Sequence, residues 1–379
     1  MMTQAPGDVV LIGGGHAHIQ VMTAFGRRPE PGLRLVLISD QTHAPYSGML
    51  PGHLAGLYRR DEMLIDLAAL AEATGTTLIL ARATGLDLAR RQVLCEGRAP
   101  VDYHLASIDV GIIPDLSGIA GADRDGLAVK PIGSFLARCD AILGAAVDEG
   151  RLRNVAVVGN GAAGVELAFA LAARLRARGQ ASPPARITLI GSGPVVATLN
   201  AGVRRHIHRA LDRHGIARRD GVRVVAVEAG AVVTATNERI AADTVLISTR
   251  ARPPRWLGET GLELSQDGSV ATAPTLLAMG REDVFAVGDC ATILEHSREK
   301  AGVFAVRQGP VLARNIRRRW RGEELELHRP QTAYLVILMT GDGRAIAGRG
   351  AWLAAEGRLV WWLKDWIDRR FMARFQTAI

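Results

Sequence analysis

The sequence contains few cysteines and no long apolar segment. Its three cysteines, Cys95, Cys139 and Cys290, are too few and too scattered for a disulfide framework or a zinc site, so no metal site is predicted. The apolar runs, such as residues 155–158, are far shorter than the ~20 residues that a membrane-spanning helix needs. The polar N-terminus has no secretory signal pattern. We therefore expect a cytoplasmic protein.

Lysine is also scarce. Only three lysines stand among the 46 basic residues, although the net charge is +8. An excess of arginine is typical of GC-rich coding, and we find no zinc-finger spacing or aromatic-interleaved RNA-binding signature. The charge thus predicts no nucleic-acid partner. With 48% hydrophobic and 22% charged residues, the 379-residue chain has the composition of a globular protein of two or three domains.

Two segments have the pattern of a strand that turns sharply into a helix. The β-type stretches at 8–12 and 154–158 each lead into a glycine-rich loop, and helices follow to about 25 and from 165 to about 178. A second β-type stretch comes after each helix, at 33–38 and, beyond a loop at 182–184, at 186–190. This alternation predicts an α/β protein with two parallel sheets of the Rossmann type.

The second glycine loop matches a dinucleotide-binding fingerprint. Gly159 permits the tight turn, Gly161 lets the backbone approach a diphosphate, and Gly164 lets the helix pack closely. The helix N-terminus then offers its N–H groups to the phosphates. The alternative, a glycine turn that binds nothing, is disfavoured by the flanking strand and helix. The predicted NAD(P)-binding set is Gly159, Gly161, Ala162, Ala163, Gly164 and Glu166, with Glu166 facing the cleft opening.

The first glycine loop departs from this fingerprint. Gly13, Gly14 and Gly15 are suitable, but His18 stands where the third glycine is expected. Two interpretations of His16 and His18 stay open: contact with a phosphate, or polar packing at the start of the helix.

The acidic residue that binds a ribose normally ends the second strand of such a unit. In the first unit this position is Ser39 or Asp40, whereas residues 191–193 of the second unit contain no acid. Arg204 and Arg205 follow; they lie on a solvated helix face or accept a 2′-phosphate. NADH and NADPH both remain candidates.

A late β-type stretch at 283–289 ends in Gly-Asp, and the order of these motifs resembles the two-dinucleotide flavoprotein reductases, which are glutathione-reductase-like. That resemblance implies FAD in the first unit, NAD(P)H in the second, and Asp289 bonded to the ribityl chain of the flavin. It also carries further FAD-binding positions onto this chain: Gly48, Leu50, Ala83, Gly111, Ala301, Gly302 and Val303. The implied domains are 1–115 and 251–323 for FAD, 116–250 for NAD(P), and a C-terminal interface region at 324–379.

Individual stretches resemble one branch of this superfamily. It is the NADH-dehydrogenase-like flavoprotein found beside, or fused to, selenide, water dikinase, and it is similar to type II NADH dehydrogenases. The stretches are 46–52, 65–67, 130–132, 302–310, 338–343 and 363–365.

Several departures bear on the chemistry. The disulfide reductases of the superfamily carry a Cys-x4-Cys pair near the flavin, but residues 45–54 contain no cysteine, so a dithiol relay there is excluded. Sulfide:quinone reductases use cysteines closer to the C-terminus, and none follows Cys290. Arg307 and Gln308 replace part of the glutamine pattern of type II dehydrogenases. The Gly-x-x-Pro crossing at 111–114 is present, whereas Arg250 replaces a glycine in its second copy.

The predicted chemistry is hydride transfer from nicotinamide to flavin, with a helix that begins near Ala301 aimed at the flavin ring. Lys130 and Lys300 either serve near the flavin or are surface charges, and Cys290 is interpreted as a small buried residue.

The tail predicts an amphipathic helix at 359–375, with Leu363, Ile367, Phe371 and Phe375 at steps of four and Lys364 among the residues on other faces. This helix meets a membrane surface, or it docks on the protein's own core or on a dimer partner.

We predict an FAD-dependent NAD(P)H oxidoreductase that passes electrons to a small-molecule acceptor such as a quinone. Two alternatives stay open: a reductase serving selenium or sulfur metabolism, and a flavin-binding partner or regulatory protein. The location is cytoplasmic, with or without peripheral contact to the inner face of the membrane.

Overall fold

A five-stranded parallel sheet organises the first unit. The computed structural model describes residues 7–148, 154–177, 185–249, 251–298 and 300–376. In spatial order the strands of this sheet are Val284–Ala286, Leu105–Ile108, Gly7–Ile12, Leu33–Ser39 and Thr77–Leu80. Val9 to Ile12 are fully buried, because helices cover one face of the sheet and a small antiparallel sheet that includes Leu86 and Val93 covers the other. The predicted α/β fold is confirmed.

Two helices set the geometry of the first glycine loop. The helix His16–Arg27 begins directly after the loop and runs two residues beyond the predicted end. The helix Gly302–Arg321 packs along it, and Gly309 allows this approach, since a Cβ there would lie 2.6 Å from Nε2 of Gln20. The predicted late strand at 283–289 is shorter in the structure: the strand covers Val284–Ala286, and Gly288–Cys290 form a 3-10 turn.

The second unit repeats this plan. Its parallel strands, in spatial order, are Leu127–Ala128, Thr244–Ile247, Asn154–Val158, Arg186–Gly191 and Ala217–Asp220. Its helices are Ile132–Asp148, Ala162–Ala177 and Ala201–Arg213. The helix after the second glycine loop starts three residues earlier than predicted, because the turn at Gly159 is completed within the loop. The predicted end of that helix at 178 and the loop at 182–184 lie outside the described residues.

The two units are joined by crossing strands. Ile113–Pro114 pairs antiparallel with Ala251–Arg252, so the outgoing and returning connections run side by side. Arg250 lies outside the described residues. The domain boundaries at 115, 250 and 323 stay predictions.

Small antiparallel sheets and short helices complete both units. The strands are His43–Pro45, Leu64–Asp66, Ala83–Asp87, Gln92–Cys95, Val101–Asp102, Val224–Glu228, Ala231–Thr234 and Arg239–Ala241, and the parallel pair Val270–Thr272 and Ala291–Ile293. The short helices are Ser47–Met49, Leu50–Leu54, Asp61–Met63, Leu67–Thr74, Ala122–Asp125, Arg255–Glu259 and Leu294–His296.

The C-terminal region is a three-stranded antiparallel sheet followed by one long helix. The strands are Leu335–Met339, Ala345–Arg349 and Leu353–Gly357, and the helix is Arg358–Gln376. In the described part of the chain, no helix is long and apolar enough to cross a membrane.

The predicted apolar stripe on the last helix is wrong in its first half. Phe371 and Phe375 are buried, but Leu363 and Ile367 are exposed, and Lys364 and Asp368 are buried in their place. A helix has 3.6 residues per turn, so a stripe at strict steps of four drifts around its surface. The helix therefore docks on the protein through a mixed face and leaves an apolar face exposed.

Candidate active site

The second glycine loop has the geometry of a phosphate cradle. Gly159 has a φ of +111°, and Gly164 lies so close that a Cβ would overlap the Gly159 carbonyl oxygen. Gly161 faces open space, with nothing within 4 Å of a Cβ placed there. These are the turn, the close packing and the open approach that a diphosphate site requires. The loop thus fits a dinucleotide, while binding itself stays a prediction for this site.

The first glycine loop is equally tight. Gly13 has a φ of +94°, and a Cβ there would lie 2.5 Å from the carbonyl oxygen of Asp109. A Cβ on Gly14 would lie 2.7 Å from Cδ1 of Leu67. The first helix begins at His16, and its N-cap residue Gly15 provides no side-chain cap. The N-terminus of the helix therefore offers N–H donors to a phosphate.

His18 packs as a polar residue and does not face the loop opening. Its side chain is fully buried, with Nδ1 2.7 Å from the Gly13 carbonyl oxygen and Nε2 2.8 Å from Oγ of Ser107. Burial lowers the pKa of this imidazole to about 4. Both ring nitrogens bond within the protein, which favours the packing interpretation over side-chain contact with a phosphate. His18 stands at the position where a third glycine would let the helix pack closely on the sheet. Its ring instead forms hydrogen bonds to the glycine loop and to the strand Leu105–Ile108.

Asp109 is a site residue that the motif analysis missed. Its Oδ2 accepts hydrogen bonds from the backbone N–H groups of Ala17 (3.0 Å) and His18 (3.3 Å). It directly follows the strand Leu105–Ile108. Because the carboxyl ends of parallel strands meet the glycine loop, its position could have been inferred from the sequence.

The second strand of each unit, Leu33–Ser39 and Arg186–Gly191, ends in residues of different chemistry, as the sequence shows. Ser39 bonds with the backbone of Gln41, and Asp40 is partnered by Arg82 at 3.3 Å at the exposed edge. In the second unit, Nδ2 of Asn160 donates to the Gly193 carbonyl oxygen at 2.6 Å. Its amide lies across Gly191, where a Cβ would overlap it. A neutral amide thus lies beside the position where a ribose-binding acid is usual.

Arg204 and Arg205 lie on the helix Ala201–Arg213, half-buried and exposed respectively. Their solvated-face interpretation and their 2′-phosphate interpretation both stay predictions.

The Gly-Asp turn is held by residues from two directions. The side chain of Gln308 accepts a 2.7 Å hydrogen bond from the Gly288 N–H, and Lys130 of the second unit donates to Asp289 at 3.1 Å. Lys130 is therefore paired at the site. Lys300 instead donates to the carbonyl oxygen of Ala291 and to Oγ1 of Thr292, each at 2.7 Å. It therefore stabilises the strand that directly follows the turn.

Cys290 is the buried small residue that the sequence indicated. Its side chain is fully buried, and burial raises the pKa of the thiol to about 12. A thiol with so high a pKa is a poor nucleophile at neutral pH.

The remaining predicted FAD-binding positions lie in several elements of the first unit. Gly302 begins the helix Gly302–Arg321, preceded by its N-cap Ala301, and a Cβ on Gly302 would lie 3.7 Å from Oγ of Ser47. The others occupy different settings: Gly48 in a 3-10 turn, Leu50 buried at a short helix start, Ala83 at a strand start, Gly111 at a φ of +68°, and Val303 half-buried in the first helical turn. Their contact with FAD stays a prediction.

The C-terminal helix contributes a buried ion pair to this region. Nζ of Lys364 lies 2.8 Å from Oδ2 of Asp368 and donates to the Gly48 carbonyl oxygen, also at 2.8 Å. The hydroxyl of Tyr46 donates to Oδ1 of Asp368 at 3.1 Å. Pattern analysis placed Lys364 on a surface face, because a buried lysine has no signal in hydrophobic periodicity.

Aromatic rings connect this ion pair to the first glycine loop. The Tyr46 ring packs against both His16 and Phe371, with centroid distances of 5.4 Å and 4.7 Å, and those two rings lie 5.8 Å from each other. Burial lowers the pKa of His16 to about 4, while Asp289 and Lys130 act on it in opposite senses. His16 is thus a neutral ring at the entrance to the loop.

Glu166 is half-buried and lies against the C-terminal sheet, and the expectation that it faces the cleft opening stays a prediction. Its Oε1 accepts a 3.0 Å hydrogen bond from the backbone N–H of Met339. Burial raises the pKa of this carboxyl to about 7, and the nearby Lys364 offsets part of that effect. The second glycine loop and the C-terminal helix are therefore electrostatically coupled.

Side-chain contacts join the two units near the Gly-Asp turn and the C-terminal helix. Lys130 reaches Asp289 from the second unit, and Lys364 donates to Gly48 of the first unit while its charge acts on Glu166 of the second. Two glycine loops with the geometry of phosphate cradles, each on a parallel sheet, and no cysteine pair at residues 45–54 are the arrangement of a two-dinucleotide oxidoreductase.

Comparison with known proteins supplies the family. Residues 7–310 match the family model described as pyridine nucleotide-disulphide oxidoreductase, and the chain belongs to that family. The prediction of a pyridine nucleotide oxidoreductase resembling NADH dehydrogenases is thereby confirmed.

Named relatives agree with this assignment. An NADH dehydrogenase-like protein of Bacillus subtilis is 24% identical over 249 residues, which are 65% of this chain and 66% of the relative. The type II NADH:quinone oxidoreductase of Staphylococcus aureus is 22% identical over 345 residues, 86% of this chain and 85% of the relative.

Two solved structures share the fold. NDH2 from Plasmodium falciparum, solved with NADH, has a TM-score of 0.82 at 12% identity and covers 98% of this chain and 97% of its own. The sulfide:quinone oxidoreductase of Aquifex aeolicus has a TM-score of 0.81 at 19% identity, with 98% and 92% covered.

Proposed function

We propose that the protein is an NAD(P)H dehydrogenase that holds FAD in the first glycine-loop unit and NAD(P)H in the second, and that it delivers electrons to a quinone. The observation that carries the proposal is the pair of tight glycine loops, one in each unit, together with the 3.1 Å contact by which Lys130 of the second unit reaches Asp289 of the first. FAD, when bound, supplies the hydride-accepting ring and transfers the electrons onward.

The residues of the chain provide binding, orientation and charge. The N-terminus of the helix His16–Arg27 faces the diphosphate of FAD, and the N-terminus of the helix Ala162–Ala177 faces that of NAD(P)H. Asp289 is oriented by Lys130 to bind the ribityl hydroxyls. The first turn of Gly302–Arg321, which has no acidic residue, directs a positive dipole end toward the same cofactor.

An anaerobic reduction experiment tests this function. The purified protein is expected to be yellow and to release FAD on denaturation, and its flavin absorbance is expected to bleach on adding NADH or NADPH. A soluble quinone is then expected to restore the absorbance faster than a ferredoxin, elemental sulfur or a selenium oxyanion. A protein that binds no flavin contradicts the proposal, as does a flavin that neither NADH nor NADPH reduces. Faster reoxidation by sulfur or selenium compounds contradicts the quinone assignment.

The exposed face of the C-terminal region suits the surface of a membrane that holds a quinone. Exposed apolar side chains cluster on the last hairpin and helix: Trp352, Leu353, Leu359, Trp362, Leu363, Trp366 and Ile367. Trp352 is 95% exposed and Trp362 64%. Exposed arginines flank this face, and Arg370 lies 5.0 Å over the Trp366 ring. Interfacial tryptophans beside cations are typical of helices that lie on anionic bilayers.

Removing the two exposed tryptophans of the helix is expected to weaken membrane binding. We expect W362S/W366S to bind vesicles of phosphatidylglycerol and phosphatidylcholine at least about tenfold more weakly, because ~100 Å² of lost apolar contact costs about 2.5 kcal/mol. Co-sedimentation with the vesicles measures this.

The matched control is L80S, since Leu80 is 60% exposed on the edge strand of the first sheet. Equal vesicle binding by all three proteins contradicts the membrane assignment. A different outcome is that the wild type is a dimer that does not bind vesicles, and that only the W362S/W366S substitution dissociates this dimer. That outcome assigns the face to a second copy of the chain instead.

A further inference from the structure

The Asp109 carboxyl occupies part of the helix end that the diphosphate of FAD needs. Asp109 is 4% exposed, and its Oδ2 accepts the N–H groups of Ala17 and His18 in the first turn of the helix His16–Arg27. Within the described residues, the N–H groups of Gly15 and His16 have no protein acceptor. Two donors at this helix end are therefore bound to the carboxyl, and two are left for a ligand.

The surrounding backbone is shaped to hold this carboxyl. A Cβ on Gly15 would overlap its Oδ2, and a Cβ on Gly288 would overlap its Oδ1. The carboxyl thus lies between the glycine loop and the Gly-Asp turn, two segments that are predicted to contact FAD. A side chain at either position would therefore collide with the Asp109 carboxyl.

Among the residues that the structure describes, no cation is paired with Asp109 to balance its charge at neutral pH. Burial raises the pKa of Asp109 to about 7, the two backbone hydrogen bonds act in the opposite sense, and the charge of Asp289 raises it further. The titratable groups that face it, or act on its neighbours, are His16, His18, Asp289, Cys290, Lys130 and Lys300. The two imidazoles have pKa values lowered to about 4, Lys130 is paired with Asp289, and Lys300 bonds to Ala291 and Thr292.

We propose that Asp109 and the diphosphate of FAD share this helix N-terminus, so that FAD binding is accompanied by the uptake of one proton by the Asp109 carboxyl. The inference rests on the proposed assignment of FAD to the first unit. Two anionic groups at one helix end repel each other, and the protonated carboxyl removes that repulsion. It also converts an acceptor into a group that donates a hydrogen bond to a phosphate oxygen.

The sign of the pH dependence follows from linkage. In the flavin-free protein the carboxyl ionises as the pH rises through its pKa, whereas the bound diphosphate raises that pKa further. Between the two pKa values, the dissociation constant of FAD is expected to increase by about tenfold per pH unit. Below both pKa values it is expected to be constant.

Calorimetric titration of the flavin-free full-length protein with FAD tests the proposal without any variant. In two buffers of different ionisation enthalpy, we expect uptake of about one proton per FAD at pH 8.5 and nearly none at pH 5.5.

Variants assign the proton to a residue. D109N is expected to bind FAD with a pH-independent dissociation constant and at least about tenfold more tightly than the wild type at pH 8.5, since the amide stays neutral. E166Q is the matched control, because Glu166 is another carboxyl whose pKa is raised to about 7. D123N, at an exposed aspartate, is the surface control. Both controls are expected to retain the pH dependence.

The outcomes separate this inference from the proposed function. FAD binding by the wild type with a flat pH profile and no proton uptake overturns the inference alone. A pH dependence that persists in D109N, or is lost in E166Q, also overturns it. A wild type that binds no FAD at any pH overturns the cofactor assignment and this inference with it.

Discussion

A G161D variant is expected to retain its flavin and to lose reduction by NAD(P)H. Gly161 is exposed, and no atom lies within 4 Å of a Cβ at this position, so the aspartate fits without disturbing the loop. Its carboxylate would face the incoming diphosphate. Two unit charges 4 Å apart repel by about 4 kcal/mol at an effective dielectric constant of 20. We expect the KM for NAD(P)H to rise at least about 100-fold, as measured by stopped-flow reduction of the flavin.

G118D is the control for the added charge. Gly118 is also exposed with open space around it, and it lies outside both glycine loops, 43 residues before Gly161 in the chain. It is expected to be reduced like the wild type, while dithionite reduces the flavin of all three proteins. An unchanged KM in G161D would show that the second loop is not the nicotinamide nucleotide site.

A K364M variant is expected to lose about 3–5 kcal/mol of the free energy of unfolding, because it leaves a buried carboxylate without its cation. Lys364 is 6% exposed and Asp368 3%. The substitution also removes the donor to the Gly48 carbonyl oxygen, so the C-terminal helix loses a direct contact with the first unit. Denaturant unfolding followed by tryptophan fluorescence measures the loss.

Two further variants isolate the cause of that loss. R369M removes a cation of the same helix whose partners, Asp365 and Glu62, are nearer to the solvent, and it is expected to cost less than about 1 kcal/mol. In K364M/D368L the uncompensated charge is absent, so part of the lost stability is expected to return. Equal losses in K364M and R369M would contradict a buried ion pair.

The second glycine loop could be predicted from the sequence because its constraints are local. The roles of Gly159, Gly161 and Gly164 depend on one strand, one turn and one helix, which are contiguous in the chain. The structure gives each glycine the open or crowded environment that its predicted role requires. The family could also be predicted from the sequence, because the resemblance depends on the order of the motifs along the chain. The match of residues 7–310 to the family model confirms it.

The first loop and the tail could be predicted only in part, because their decisive contacts are long-range. The ring of His18 bonds Ser107, 89 residues away, and no local pattern indicates which atom it meets. Lys364 bonds Gly48, 316 residues away, so a charged residue on an amphipathic helix was placed on the wrong face. Periodicity records the average polarity of a face, whereas a buried ion pair requires a specific partner.

The central claim is that electrons pass between the two nucleotides without a thiol. None of the three cysteines forms a disulfide in the structure, and two of them, Cys139 and Cys290, are buried. A flavin that is the sole redox centre takes up two electrons, whereas a flavin with a redox disulfide takes up four.

The most direct test is therefore an anaerobic titration of the flavin-loaded protein with NADH or NADPH, repeated on C95S. We predict complete bleaching at about one equivalent per flavin in both proteins. An end point near two equivalents, or loss of bleaching in C95S, would contradict the account.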